Sequence, residues 1–156
     1  MRVSALVLRS FLLGVASGGR SMTGLAAAAL TTRPGELPGG IAALTGAKAR
    51  GLVVAGALGE LAADKLPNAP SRLTPPSLAA RMLAGAGSAG VLAARENVTP
   101  VGYLLPTAAG AAGALVGSVA GARWRAIAGG YGWPSPAAAL VEDAAVVGLA
   151  AAVTRR

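Results

Sequence analysis

Long uncharged stretches, rather than amphipathic stripes, organise this chain. Asn97 to Ala122 is a run of 26 residues without a charge. As a helix it extends roughly 39 Å at 1.5 Å per residue, more than a ~30 Å hydrocarbon core requires. Soluble helices carry a charged face at helical period. Residues 101–121 carry none on any side. Other apolar stretches are broken only by isolated charges: Val3–Leu30 by Arg9 and Arg20, Gly51–Leu66 by Glu60, Asp64 and Lys65, Ser77–Ala94 by Arg81, and Pro136–Thr154 by Glu142 and Asp143.

This pattern predicts five helices. The first covers about Val3–Leu30, with a weak point at Gly18-Gly19. A Pro/Gly-rich connection over 31–49 follows, and its apolar piece near 41–47 is a candidate re-entrant segment. The second helix covers about Ala47–Leu66, after which Pro67, Pro70, Pro75 and Pro76 impose an extended loop. The third starts after Pro76, with Ser77 as N-cap, and ends near Arg95. The fourth runs from Thr99-Pro100 to about Arg125, and the fifth opens at Ser135-Pro136, with Ser at the cap. Trp124, Tyr131 and Trp133 gather around the intervening turn, as interfacial aromatics do. The fold class expected is all-α: one polytopic membrane domain over 1–156, with about five transmembrane helices.

Composition narrows the chemistry. Net charge is +8, 54% of residues are hydrophobic and 13% charged, and there is neither Cys nor His. Disulfides, thiolate or zinc centres and Cys- or His-based catalysis are therefore not expected. Nor is any phosphate-loop, nucleotide or nucleophile motif present, so an enzyme and a bound cofactor are not expected. The basic residues stand singly and aromatics are few, which argues against nucleic acid as a partner. The competing reading is a soluble Ala-rich bundle. A cleaved N-terminal signal also competes, but Arg9 splits its would-be apolar core.

Two segments echo each other. Gly14-Val-Ala-Ser-Gly18-Gly-Arg20 and Gly117-Ser-Val-Ala-Gly121-Ala-Arg123 both read Gly-x-x-x-Gly-x-Arg. Each precedes an acidic pair, Glu60/Asp64 or Glu142/Asp143. Repeat-like halves over 3–66 and 101–154 follow. Three crossings would lie between them, giving the inverted repeat from which many transporters are built. Gly14, Gly18, Gly113, Gly117 and Gly121 also have a simpler reading as a packing seam, because small residues let membrane helices approach closely.

Gly19-Arg20-Ser21, Glu60-Leu-Ala-Ala-Asp64-Lys65-Leu66-Pro67, Arg81 with Gly85-Ala86, and Ser135-Pro136 before Leu140-Val141-Glu142-Asp143 occur in that order. Together they resemble Domain of Unknown Function family 4126, small bacterial membrane proteins, over roughly residues 12–152. The most specific element is Glu-x-x-x-Asp-Lys-x-Pro. The resemblance implies a multi-pass protein of the bacterial inner membrane and brings no biochemical activity. Gly19 stands where an aliphatic residue usually precedes the Arg.

An ionisable side chain at membrane depth costs roughly 2.5–3.5 kcal/mol on insertion scales, so it needs a partner. Arg20, Ser21, Glu60, Asp64, Glu142 and Asp143 are the candidates for a substrate or ion pathway. Lys65, Arg81 and Arg123 are candidates for lipid or interface contact. A crossed arrangement would set Arg20 against Glu142/Asp143 and Arg123 against Glu60/Asp64; an uncrossed one would set Arg20 against Glu60. The functions in view are a small transporter or channel with an Arg/carboxylate centre, and a non-transporting scaffold or lipid-binding subunit. The bilayer is the expected partner, and a homo-oligomer is compatible with five spans whose flanking basic residues balance at five against six.

Overall fold

The computed structural model describes residues 3–63 and 73–155, and every regular element in them is helical. The elements are α1 (Val3–Gly19), α2 (Ser21–Thr31), α3 (Ala47–Ala63), α4 (Pro75–Arg95), α5 (Leu104–Gly130) and α6 (Ser135–Thr154). One-turn 3-10 segments at Ala42–Thr45 and Pro100–Tyr103 precede α3 and α5. Three helical stretches, Pro75–Arg95, Pro100–Gly130 and Ser135–Thr154, are long and apolar enough to cross a membrane.

The first expected helix is in fact two. Arg20 adopts an extended conformation (φ −141°, ψ 110°), ending α1 and starting α2. Its N–H still closes the last turn onto Ala16, and its carbonyl accepts from Thr23, so one residue makes the whole connection. The chain then reverses. Gly24 lies against Ser17 and the Leu13 carbonyl, although a straight helix would hold residues 13 and 24 roughly 16 Å apart. α1 and α2 therefore form a hairpin rather than one crossing.

The other helices pack around it with alternating direction. α3 runs back along α2, bringing Glu60 to Met22, Val53 to Ala26 and Ala29, and Arg50 to Thr32. α4 runs with α2, placing Ser88 by Gly24 and Arg95 by Thr31. α5 lies against α1: Gly14 meets Gly110, and Gly18 meets Ala114, Gly117 and Ser118. The contacts advance in the same direction on both chains, so α1 and α5 are parallel. That corrects the expected inversion of the two Gly-x-x-x-Gly-x-Arg segments, because the hairpin adds a reversal between them. α6 returns antiparallel, with Val146 against Gly19 and Val153 beside Arg9.

The glycines expected to form a seam meet backbone, not side chains. A Cβ on Gly14 would fall on the Gly110 carbonyl; on Gly113, on that of Phe11; on Gly117, on that of Val15. Gly85 and Gly110 exclude each other's Cβ in the same way across α4 and α5. Gly121 is buried on the same helix. Backbone approach this close is available only to residues without a side chain, the kind of packing by which membrane helices associate.

The bundle interior is apolar but holds an unusual number of buried polar and charged side chains, and its exterior carries many large apolar ones. Ser10, Ser17, Ser88, Ser118, Arg20, Arg81, Arg95 and Glu142 are buried, whereas Leu8, Leu52, Leu83, Leu104, Leu140 and Val147 are exposed. In water such an exterior would drive association. In hydrocarbon it costs nothing, which disfavours the soluble bundle.

Several boundaries differ from expectation. α4 begins at Pro75 with Thr74 in the cap position, because Pro75 and Pro76 both fit the first turn, where no N–H is needed. Ser77 is therefore inside the helix, not its cap. Pro134, not Ser135, holds the cap position of α6. α5 continues to Gly130, past Arg125. The 41–47 piece contains a single 3-10 turn with no buried residue, not a re-entrant segment. Asp64 and Lys65 lie outside the described residues.

Gly110→Ala is expected to cost about 1–3 kcal/mol by overpacking against backbone that cannot yield. Gly51 borders open space, and a Cβ there would have no neighbour within 4 Å, so Gly51→Ala should be neutral or stabilising by up to about 1 kcal/mol. Thermal unfolding of the detergent-solubilised variants distinguishes them; equal losses would contradict the seam.

Candidate functional site: the charged hairpin tip

A helix that stops leaves carbonyls at its C-terminus and amides at its N-terminus without partners. At the Arg20 reversal both kinds of end meet inside the bundle. Each is satisfied by an ionised side chain from a distant helix.

The carbonyls of Gly18 and Gly19 end α1. Arg81 on α4 donates through Nη1 to both, at 2.8 and 2.9 Å. Ser118 on α5 donates to Gly18 O at 3.2 Å. Arg81 is only 6% exposed. The expectation that it reaches lipid or the interface is therefore corrected: it points inward, where the negative end of α1 and two free carbonyls hold a guanidinium better than headgroups would. Its Nη2 stands 3.4 Å from Glu60 Oε1.

The amides of Ser21 and Met22 start α2. They donate to the two carboxylate oxygens of Glu60 on α3, at 2.8 and 3.0 Å. Glu60 thus caps a helix it is not part of, at the positive end of the α2 dipole. Ser21 belongs to the site through its backbone amide. Arg81 and Glu60 together neutralise the two facing helix ends, and each also faces the other.

The Arg20 side chain points toward α6. Its Nε donates to Asp143 Oδ1 at 2.7 Å, and Nη2 lies 2.5 Å from the same oxygen. Arg20 is 3% exposed and the Asp143 side chain 14%. Of the acidic partners expected for Arg20 in the crossed arrangement, Asp143 is engaged. Glu142 turns away by one residue, about 100° around the helix, and takes Arg125 on α5 at 3.0 Å. Arg123, expected to meet Glu60 or Asp64, is exposed and forms no ion pair with Glu60 or another described acidic residue; Asp64 lies outside the described residues. Arg125, two residues on, is the basic partner within the α5–α6 pair.

Sequence reasoning missed Arg125, although Arg125 and Glu142 stand nine and eight residues from Pro134 on either side of the turn. In an antiparallel pair such closely matched distances from the turn are a contact signal. It also missed the buried hydroxyls below the tip. Ser17 Oγ and Ser88 Oγ are 3.4 Å apart, each also donating to the carbonyl four residues earlier. Three further arginines meet helix C-terminal ends: Arg50 donates to the Thr32 carbonyl, Arg95 to Thr31 Oγ1, and Arg9 to the Val153 carbonyl. No group of acidic or other side chains among the described residues is arranged to hold a metal ion.

The depth of the tip follows from helix lengths. Arg81 lies fourteen residues from the end of α4 and Ser118 fourteen from the start of α5. The tip is therefore roughly 20 Å from the face that carries Thr32 and Arg95. It is closer to the opposite face, since α4 begins six residues before Arg81 and α6 eight before Asp143.

The chain matches no family model, no curated protein and no solved structure. The resemblance to family 4126 rests on its motifs alone.

Removing one member of a buried pair strands the other. Arg20→Leu and Asp143→Leu should each cost about 3–5 kcal/mol, and the double variant less than their sum. Additive losses in unfolding measurements would show that the pair is not coupled. Glu60→Gln retains an acceptor for the α2 amides, whereas Glu60→Leu leaves two amides bare, so the Leu variant should be the less stable by about 1–3 kcal/mol.

Proposed function

We propose that this protein is a small transporter or channel of a cell membrane, in which the α1–α2 hairpin enters from one face and carries a charged centre to membrane depth. α3 to α6 complete the bundle around it. This reading replaces five spans built as an inverted repeat with crossing helices arranged about a re-entrant hairpin. The observation that carries it is the helix reversal at Arg20, whose two ends are held by Arg81 and Glu60 and whose side chain is held by Asp143.

Broken helices at membrane depth are tolerated where protein or water meets their free ends, and they surround the binding sites of many transporters. A packing role alone would be served by a continuous helix at lower cost. The site also has the parts for exchange. Glu60 and Asp143 retain some exposure, at 18% and 14% of their side chains. Each carboxylate occupies a position rich in donors: α2 amides and Arg81 for one, Arg20 for the other. A small anion meets the same donors when either carboxylate swings away, so the species favoured is an anion.

One observation favours a second reading. The cleft that reaches Glu142 is lined almost entirely by apolar residues, and Glu60, Glu142 and Asp143 are all partnered. A centre that never opens would make the protein a non-transporting scaffold or lipid-binding subunit, with the charges fixing the register of the hairpin.

Purified protein reconstituted in vesicles separates the two. Chloride or phosphate flux above that of empty vesicles is expected, and Asp143→Asn should change its rate at least several-fold while the protein remains folded. Flux of potassium or protons alone would reverse the assigned sign. Absence of any flux would favour the scaffold.

A further inference from the structure

On one flank of the bundle α1, α5 and α6 leave a cleft of about 310 Å³. Its lining includes Gly19, Gly117 and Gly121, together with Val141, Val146 and Leu149. Gly19 and Gly117 set the cleft floor by letting their helices pack closely, since a Cβ on Gly117 would meet the Val15 carbonyl and one on Gly19 the Val146 side chain. One charge reaches the cleft, Glu142, and Arg125 meets it at 3.0 Å. Glu142 is its one charged lining residue and the rest of the lining is apolar, so the cleft suits a stretch of alkyl chain. An apolar cleft of this kind gains nothing from holding water, which finds few polar partners there.

Its position identifies what such an alkyl chain is attached to. Trp124 lines the cleft and packs edge-on against Trp133, with ring centroids 5.8 Å apart. The Trp124 indole donates to the Ala138 carbonyl at 2.9 Å. Trp133 and Tyr131, in the turn beyond, are exposed. Such aromatics sit at headgroup level. The cleft therefore extends from headgroup level at Trp124 toward hydrocarbon depth at Leu149. Arg123, adjacent to Trp124, is exposed at that same level. It enters no ion pair among the described residues.

We propose that this cleft binds one acyl chain of an anionic phospholipid whose phosphate is met by Arg123. Charge complementarity selects the headgroup: the protein carries +8 overall, and the one carboxylate in the cleft is already neutralised by Arg125. Shape suits the tail, since an open apolar groove along three helices admits a flexible methylene chain. Because the recess reaches Gly19, the bound tail lies directly against the hairpin next to Arg20. This inference rests on α5 and α6 lying in a membrane and is independent of whether the protein transports an ion.

The test uses the full chain extracted in detergent and offered palmitoyl-oleoyl phosphatidylglycerol and phosphatidylcholine in equal amounts, with retained lipid measured by native mass spectrometry. Preferential retention of phosphatidylglycerol is expected. Arg123→Gln should lower that preference about fivefold, the usual weight of one arginine beside an anionic lipid. Ala145→Phe fills the cleft from an exposed position and should abolish retention of both lipids. Ala120→Phe does so from the facing helix if the first variant fails to fold. Equal retention of the two lipids, an unchanged preference in Arg123→Gln, or full retention in the folded Phe variants would each overturn the proposal. Cross-links between two copies through residues 120 and 145 would likewise overturn it, assigning the cleft to a second protomer. Recovery of the protein without detergent would instead overturn the membrane placement on which the proposal rests.

Discussion

A helix cannot end inside an apolar bundle unless something supplies the hydrogen bonds its end has lost. This requirement governs the molecule. At Arg20 the carbonyls of Gly18 and Gly19 and the amides of Ser21 and Met22 come to an end together inside the bundle. Each unsatisfied group would cost of the order of several kcal/mol in hydrocarbon. Arg81 and Glu60 remove that cost, and their charges oppose the helix dipoles they face. The same solution recurs at the other end of the bundle, where Arg9, Arg50 and Arg95 meet the C-terminal turns of α6 and α2. Arginine is suited to this work because its planar fork reaches two acceptors at once, as Arg81 does.

The glycines make this chemistry geometrically possible. Arg81 reaches the end of α1 from α4, and Ser118 reaches it from α5, only because the three helices approach to backbone contact at Gly14, Gly18, Gly85, Gly110, Gly113 and Gly117. With side chains at those positions the helices would stand farther apart and the donors would fall short. Packing and capping are thus one device. The seam sets the distance, and the polar side chains use it.

Much of this was legible in the chain. Isolated charges in apolar stretches marked Arg20, Glu60 and Asp143, and the spacing of the glycines marked the seam. The weak point at Gly18-Gly19 was visible, but its consequence was not. Residues on both sides of Arg20 are equally apolar, so local pattern favours one continuous helix. The reversal is fixed by Glu60 and Arg81, which lie 39 and 62 residues from their partners at Ser21 and Gly19. No local signal reports such contacts. Arg81 looked like an interfacial residue because it stands near the start of α4, and only the neighbouring hairpin turns it inward. Arg123 drew attention through the repeated motif, while Arg125, on the other flank of the helix, held the contact.

The distance in sequence between Arg20 and Asp143 has a consequence for biogenesis. The two are 123 residues apart. At a synthesis rate of about 5–20 residues per second, Arg20 leaves the ribosome roughly 6–25 s before its partner exists. Glu60 and Arg81 follow α2 in turn, so the amide end of the hairpin is satisfied first, the carbonyl end second and the arginine last. Through that interval the nascent hairpin holds a charge it cannot bury at little cost. The hairpin is therefore among the first parts of the protein to be made and the last to be completed, and delivery of α6 closes the assembly.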